Sequence, residues 1–369
     1  MVLLIIIFVD LLVIGAMTFT PYVTRKTELF GVSIPSAEAN RPECNELRDA
    51  YRNRMLLLSV PFLAFTVIPY LLMGPENVTS SIIYTVVIFI YLFLGFGIYL
   101  LGHKDAQKLK QNAKWANPVE NAALIVDTTP VSGELVSPAW LLTYPVIFVL
   151  TLIGIALVWN QAPEMIPMHY DSLGNVTRYA PKSIKALLPM LSSQILLIIV
   201  FTGVFFITKN AKRQIDAANP ELSREQGRRF RRFTSTSLLI GGTAMILFFG
   251  VLQILMLLGA SSSTVMWLSL GSMLPILLVI PILYLRMGQG GSRLKSAKID
   301  NSNNVSNYDS DSHWKLGVFY YNPEDPAIFI EKRFGIGYTN NWAHPLSWLL
   351  IVGLLVLCVG VTVISILAE

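Results

Sequence analysis

Charge is scarce in this chain. Asp, Glu, Lys and Arg make up only 14% of its 369 residues, against about a quarter in soluble domains. Hydrophobic residues make up 53%, and the mean hydropathy is +0.57, so a water-soluble fold would have to bury nearly all of its apolar surface. Cysteine is scarce as well. Cys44 lies in a polar loop and Cys358 in an apolar run, surroundings too unlike for a disulfide framework, and no CxxC or Cys/His ligand spacing exists. The four histidines, His103, His169, His313 and His344, are scattered along the chain. HExxH, GxSxG, a Walker loop and a GxGxxG following a strand are all missing. These absences argue against an enzyme, and no cofactor or bound metal is expected. The net charge of +5 and pI near 9.1 would suit nucleic acid. In membrane proteins, however, loop Lys and Arg orient the helices, so no nucleic-acid partner is expected.

The sequence does contain long apolar runs, at about 2–20, 55–74, 80–101, 138–158, 184–207, 234–258, 265–286 and 347–367. A spanning helix needs about 20 such residues, and a segment in lipid must satisfy its own backbone, so each run should be a helix. The first, Val2–Ile14, has the core of a signal peptide without a basic flank or a small-residue cleavage site, and reads as a retained helix. Pro61, Pro69, Pro145, Pro189, Pro275 and Pro281 fall within runs and predict kinks.

Basic residues alternate with the runs. The loop 21–54 holds Arg25, Lys26, Arg41, Arg48, Arg52 and Arg54, and the loop 102–137 holds Lys104, Lys108, Lys110 and Lys114. The loop 208–233 includes the cluster Arg228, Arg229, Arg231 and Arg232, and 286–346 includes Arg286, Arg293, Lys295, Lys298, Lys315, Lys332 and Arg333. The loops between hold only Arg178 and Lys182, with Lys185 just inside the next helix. Eight helices with every second loop in the cytoplasm obey the positive-inside rule without exception, and both termini then face outward. The expected fold is an all-α polytopic membrane protein of about eight transmembrane helices, with the bilayer as its first partner. It divides into a three-helix region 1–137, a membrane core 138–286 with an outward loop 159–183, a flexible cytoplasmic linker 287–312, and a segment with the last helix, 313–369.

Three segments stand out. In the outward loop, His169, Tyr170 and Asp171 adjoin a turn signal, Leu173-Gly174-Asn175. A His-x-Asp pair is too few ligands for zinc. The patch reads either as a recognition loop or as a turn capped by Asp171. The segment from His313 to Pro345 carries Trp314, Phe319, Tyr320, Tyr321 and Phe329, too many aromatics for a bare loop, so they should pack on the bundle or meet a partner. Its runs Gly317–Tyr321 and Ala327–Glu331 flank Asn-Pro-Glu-Asp-Pro and suggest one hairpin with a five-residue loop. Inside the first run, Asp10 is a mid-membrane acid, which usually faces a partner or a cavity. It reads as proton or ion handling, or as a helix–helix hydrogen bond. Gln194 and Gln253 read as packing between helices.

The stretch IPMHYDSLGNVTRYAPKS resembles the bacterial domain of unknown function 1648, with Pro167, His169, Tyr170, Asp171, Gly174, Tyr179 and Lys182 on its motif. The stretch YYNPEDPAIFIEKRFGIGYTNNWAHP is similar to the domain of unknown function 5808, through Tyr320, Asn322, Pro323, Asp325, Lys332, Arg333, Gly335, Gly337 and Asn341. The loop from Phe30 to Arg54 is similar to the first cytoplasmic loop of the same proteins. Their best-known relatives are the SdpI-like immunity proteins of Gram-positive bacteria, which resist a secreted toxin and hold a repressor at the membrane. Unlike those, this chain is longer and lacks an Arg-Thr-Pro-Trp segment. The resemblance implies a non-enzymatic protein of immunity or signal-transduction type. Its first residue set would bind an extracellular peptide or toxin, and its second would dock a cytoplasmic regulator. A transporter or permease subunit using Asp10, and an envelope-complex assembly factor, are the competing expectations.

Overall fold

The computed structural model describes residues 2–74, 77–115, 133–170, 175–213, 220–261, 263–265, 267–269, 271, 285–294 and 311–367. Its long helices are α1 (Val2–Val23), α2 (Pro42–Met73), α3 (Val78–Asn112), α4 (Thr143–Val158), α5 (Ile184–Asn210), α6 (Pro220–Leu257) and α7 (Pro345–Leu367). Among the described residues, seven helices are long and apolar enough to cross a bilayer; the fourth span includes the short helical turns flanking α4. Of the run expected at 265–286, residues 265, 267–269, 271, 285 and 286 are helical, and the rest lies outside the described residues.

Three helices outrun their apolar runs. α2 begins at Pro42 instead of near 55, α3 continues to Asn112, and α6 begins at Pro220, so that Arg228 to Arg232 lie within a helix and not in a loop. An apolar window reports only the part of a helix that lies in hydrocarbon. At 1.5 Å per residue the 32 residues of α2 reach about 48 Å, well beyond the roughly 30 Å of lipid core.

The chain divides into two compact units. One comprises Met1–Thr129, Lys212–Gly227 and Tyr284–His344; the other comprises Pro130–Ala211, Arg228–Leu283 and Pro345–Glu369. In the first, α1, α2 and α3 pack through a mixed seam. Phe62 stacks on Tyr91 with ring centroids 4.2 Å apart, Ser59 Oγ lies 3.1 Å from the Tyr91 hydroxyl, and Tyr51 donates to the Met17 carbonyl at 3.1 Å. Asp10 is fully buried, accepting from Thr66 Oγ1 at 2.6 Å and from the Tyr84 hydroxyl at 3.3 Å. That is the helix–helix hydrogen bond, realised with two donors.

Among the described residues, four two-stranded hairpins account for the strands. In the first unit β1 (Glu28–Leu29) pairs with β2 (Val32–Ser33). In the second, β3 (Met165–Tyr170) pairs with β4 (Val176–Pro181). Back in the first, β5 (Trp314–Lys315) pairs with β6 (Phe319–Tyr320), and β7 (Phe329–Glu331) with β8 (Tyr338–Asn340). The expected hairpin-like segment before the last helix is therefore two hairpins, and its two runs do not pair with each other. Leu316 and Gly317 have φ of 54° and 71°, the double left-handed geometry of a tight hairpin turn, and this folds β6 back on β5. The Asn-Pro-Glu-Asp-Pro stretch has two prolines without N–H groups. It is held open by Asp325 Oδ1, which accepts from the Ala327 N–H at 3.0 Å, and by Asn322 Oδ1, which accepts from the Glu324 N–H at 3.0 Å.

In the second unit, α4, α5 and α6 pack through small and polar residues, as membrane interfaces do. Gly154 sits against Ile254, and Gly242 against Tyr144 and Phe201. Gln194 donates to the Ile246 carbonyl at 2.9 Å and to Thr151 Oγ1 at 3.2 Å, and Gln253 donates to Gln194 Oε1 at 3.3 Å. Arg231, 2% exposed, donates to the carbonyls of Thr208, Lys209 and Ala211. It thereby satisfies carbonyls that the end of α5 would otherwise leave orphaned.

Candidate functional site

Two regions outside the apolar runs carry the expected site residues. In the second unit, β3 and β4 form a hairpin whose inner side is apolar. Ile166 is paired with Ala180, and both are buried in a cluster with Ile155, Ala162, Leu187 and Leu257. Its two ends are tied to the helices. Lys182 N–H donates to the Glu164 carbonyl at 2.8 Å, Lys182 Nζ donates to the Ala162 carbonyl at 3.0 Å and lies over the Trp159 ring, and Ser183 caps α5 by accepting from the Ala186 N–H. Thr177, Arg178 and Tyr179 remain exposed along β4. Pro167 pairs with Tyr179, His169 with Arg178 and Tyr170 with Val176, with register shifts on both sides of His169. Burial, with a smaller push from Tyr179, raises the Tyr170 phenol above its ordinary value. Asp171, Gly174 and the side chain of His169 lie outside the described residues, and the cap expected of Asp171 lies there too. Of the seven residues on this motif, Pro167, Tyr170, Tyr179 and Lys182 are therefore placed, and Lys182 is a structural tie.

The second region lies in the first unit, where segments remote in sequence converge. Phe30 and Gly31 form the β1–β2 turn with φ of 47° and 77°, and it meets the Leu316–Gly317 turn tip to tip. A β-carbon on Gly31 would come within 2.6 Å of Gly317 Cα, and one on Gly317 within 2.7 Å of the Tyr99 hydroxyl. The Tyr99 hydroxyl is shared between the carbonyls of Leu316 (2.9 Å) and Phe30 (3.1 Å). His103 Nδ1 is 2.8 Å from the Phe30 carbonyl; as a carbonyl only accepts, this nitrogen carries the proton.

Beneath the turns is a buried ion cluster. Arg333, 2% exposed, pairs with Asp311 and with Glu28 (3.7 Å), donates to the Gly31 carbonyl at 3.2 Å and lies over the Trp314 ring at 5.0 Å. Lys110 holds the second oxygen of Asp311 at 2.8 Å, and Arg25 pairs with Glu331. Burial raises the Glu28 carboxyl, and Arg333 only partly offsets that. At Asp311 burial also raises the carboxyl, but Arg333 and Lys110 outweigh it and hold the group below the usual carboxylate range. Beside this cluster Asp325 accepts from Lys212 Nζ at 2.6 Å and from the Tyr320 hydroxyl at 2.7 Å. Burial raises this carboxyl too, and these bonds together with the Ala327 N–H bring it below its usual value.

The other residues of the second motif serve the same assembly. Asn341, 1% exposed, donates to the carbonyls of Asn322 (2.8 Å) and Asp325 (3.0 Å) and accepts from the Asn322 N–H at 3.1 Å. Gly335 N–H donates to Thr24 Oγ1 at 3.0 Å, and Gly337 N–H to Gln289 Oε1 at 2.8 Å. Trp314 and Tyr320 are buried, Phe329 is half-buried, and Phe319 and Tyr321 stay exposed. Tyr320, Asp325, Arg333 and Asn341 are thus turned inward, whereas Phe319, Tyr321, Pro323, Glu324, Pro326 and Lys332 are among the residues this segment presents to its surroundings. Glu28, Tyr99, His103, Lys110, Lys212 and Asp311 complete the assembly, and reading along the chain did not single them out as site residues. Nothing local marks them; the left-handed Phe30-Gly31 and Leu316-Gly317 turns were the available signal.

These features define an integral membrane protein of the polytopic α-helical class, with two small folded elements outside its helices. The sequence model of the domain of unknown function DUF1648 matches residues 146–192, which include the β3–β4 hairpin, and that of the family of unknown function DUF5808 matches residues 323–348, which include β7 and β8. The chain carries both segments that its motifs resemble. No curated protein and no solved structure matches it significantly.

Proposed function

We propose that the chain is a non-enzymatic receiving protein of a bacterial plasma membrane, of the immunity or signal-transduction type. In this reading the β3–β4 hairpin meets an extracellular peptide or envelope-active agent, and the 311–344 assembly docks a cytoplasmic regulator through Tyr321, Pro323, Glu324 and Pro326. One observation carries it. The hairpin is anchored by Ile166 and Ala180 while Thr177, Arg178 and Tyr179 face outward, the form of a recognition loop on a rigid stem.

Sidedness has separate support. The four basic segments that positive-inside bias assigns to the cytoplasm meet within the first unit. Arg25 pairs with Glu331, Lys110 with Asp311, Lys212 with Asp325, and Gln226 donates to the Leu294 carbonyl. Segments in mutual contact share one side of a membrane, which supports reading these four as cytoplasmic; in the same reading the β3–β4 hairpin and both termini face outward. Asp10 favours this reading over a transporter, because Thr66 and Tyr84 occupy it as a helix–helix tie.

The test is a strain lacking the gene, complemented with the native chain or with Tyr179→Ala, and challenged with a panel of membrane-active peptides and cell-wall inhibitors. The native chain should restore tolerance to at least one agent, and the variant should lose at least tenfold of that protection at equal membrane abundance. Unchanged sensitivity on gene loss, or full rescue by the variant, removes the hairpin from the function.

A further inference from the structure

Beside the ion cluster of the first unit is a cleft of about 260 Å³. Phe96, Val318, Phe319, Phe334 and Trp342 form its apolar walls, and Lys332, Thr339 and the acid-paired Arg333 supply its polar atoms. Phe319 and Trp342 stand edge to face at 5.9 Å. Three facts bear on what it holds.

The first is charge. In the sequence Glu331-Lys332-Arg333 the outer two side chains turn inward, Glu331 to Arg25 and Arg333 to Asp311 and Glu28. Lys332 lies between them, on the opposite face of an extended backbone. It has no acidic partner among the described residues, and burial alone lowers its ammonium below the ordinary lysine value. The cleft therefore carries, among the described residues, one positive charge without an acidic partner, on a side chain that stays open to solvent at the cleft mouth.

The second is depth. Phe96 lies in the apolar run 80–101 of α3, and His103 and Lys104 follow seven and eight residues later. At 1.5 Å per residue the wall at Phe96 is about 10 Å toward the hydrocarbon from His103 and Lys104. The cleft thus spans the boundary between acyl chains and headgroups.

The third is size. The cleft is smaller than the roughly 300–1,000 Å³ of sites that enclose a drug-sized ligand. It can take a headgroup while the rest of the molecule lies outside, along the helix.

We propose that this cleft binds an anionic glycerophospholipid, its phosphate on Lys332 and its first methylenes against Phe96 and Phe319. A free anion would satisfy the ammonium but not the aromatic walls. A zwitterionic lipid would bring its own cation to a site that already has one. Basic pockets beside spanning helices take acidic headgroups on these grounds.

The test uses the full-length protein in neutral detergent, with native mass spectrometry reading lipid retained after addition of phosphatidylglycerol or phosphatidylcholine. The native chain should retain one phosphatidylglycerol at least fivefold more tightly than phosphatidylcholine. Lys332→Gln should abolish that preference, and Lys332→Arg should keep it. Lys104→Gln, on an exposed lysine of α3, controls for general charge and should also keep it. Because Lys332 has no acidic partner to strand among the described residues, the Gln variant should fold, shown by unchanged amide exchange over 329–340. Equal retention of the two lipids, a preference that survives Lys332→Gln, or displacement of phosphatidylglycerol by millimolar inorganic phosphate would each overturn the assignment.

Discussion

Arg333 gives the sharpest test of how the 311–344 segment is held. It is the one group that touches Asp311, Glu28, the Gly31 carbonyl and the Trp314 ring together. Removing one member of a buried pair leaves an uncompensated charge and costs about 3–5 kcal/mol. Two features of this cluster set the expectation for Arg333→Met at the lower end. Asp311 keeps Lys110 at 2.8 Å, and the Glu28 carboxyl, already raised by burial, can take up a proton instead of staying charged. A loss of about 3 kcal/mol is near 150-fold at 1.36 kcal/mol per decade. Hydrogen exchange of amides 329–340 in the reconstituted protein reads this directly as local opening. Adding Glu28→Gln to Arg333→Met removes the stranded acid and should recover at least about 0.5 kcal/mol, the lower bound for coupled neighbours. Acceleration below tenfold in the single variant, or a double variant no better than the single, would refute the cluster as the lock.

Other predictions follow from the same geometry. Gly31→Ala imposes about 1–2 kcal/mol of left-handed strain and drives a methyl into the Gly317 backbone, so exchange of 314–320 should rise at least tenfold. Gly335→Ala meets only Thr20 Cγ2 at 3.5 Å and should show the strain alone. The Asp325 carboxyl is lowered in the folded state, so its stabilisation is present above the unfolded value of about 3.9 and is lost as pH falls through the folded value. Acid titration of Trp314 and Trp342 fluorescence should show a transition below about pH 4 that Asp325→Asn weakens. Asp10→Asn keeps an acceptor for Thr66 and should leave abundance and any resistance phenotype unchanged, whereas Asp10→Leu should lose about 0.6–1.7 kcal/mol of helix association. A loss of solute flux in Asp10→Asn at equal abundance would favour ion handling instead.

Much of the candidate site was legible as residues and little of it as geometry. The motif around His169 marked the right loop, but its alternation, with Ile166 and Ala180 inward and Tyr179 outward, is broken by prolines and register shifts, so it did not read as a strand pair. Tyr320, Asp325, Arg333 and Asn341 stood out as a group, yet their partners Glu28, Lys110, Lys212 and Asp311 lie up to about 300 residues away in sequence. No local pattern links positions so far apart.

By itself the sequence determined that this is a membrane protein and where most helices cross, because in hydrocarbon each span must be apolar and must satisfy its own backbone. That constraint is local and can be counted residue by residue. Only the tertiary structure decided that residues 311–344 fold against α1, α2 and α3 through a buried ion cluster, and that Asp10 ties one helix to two others. Those outcomes depend on which charges lose water together, and desolvation is a property of the packed chain.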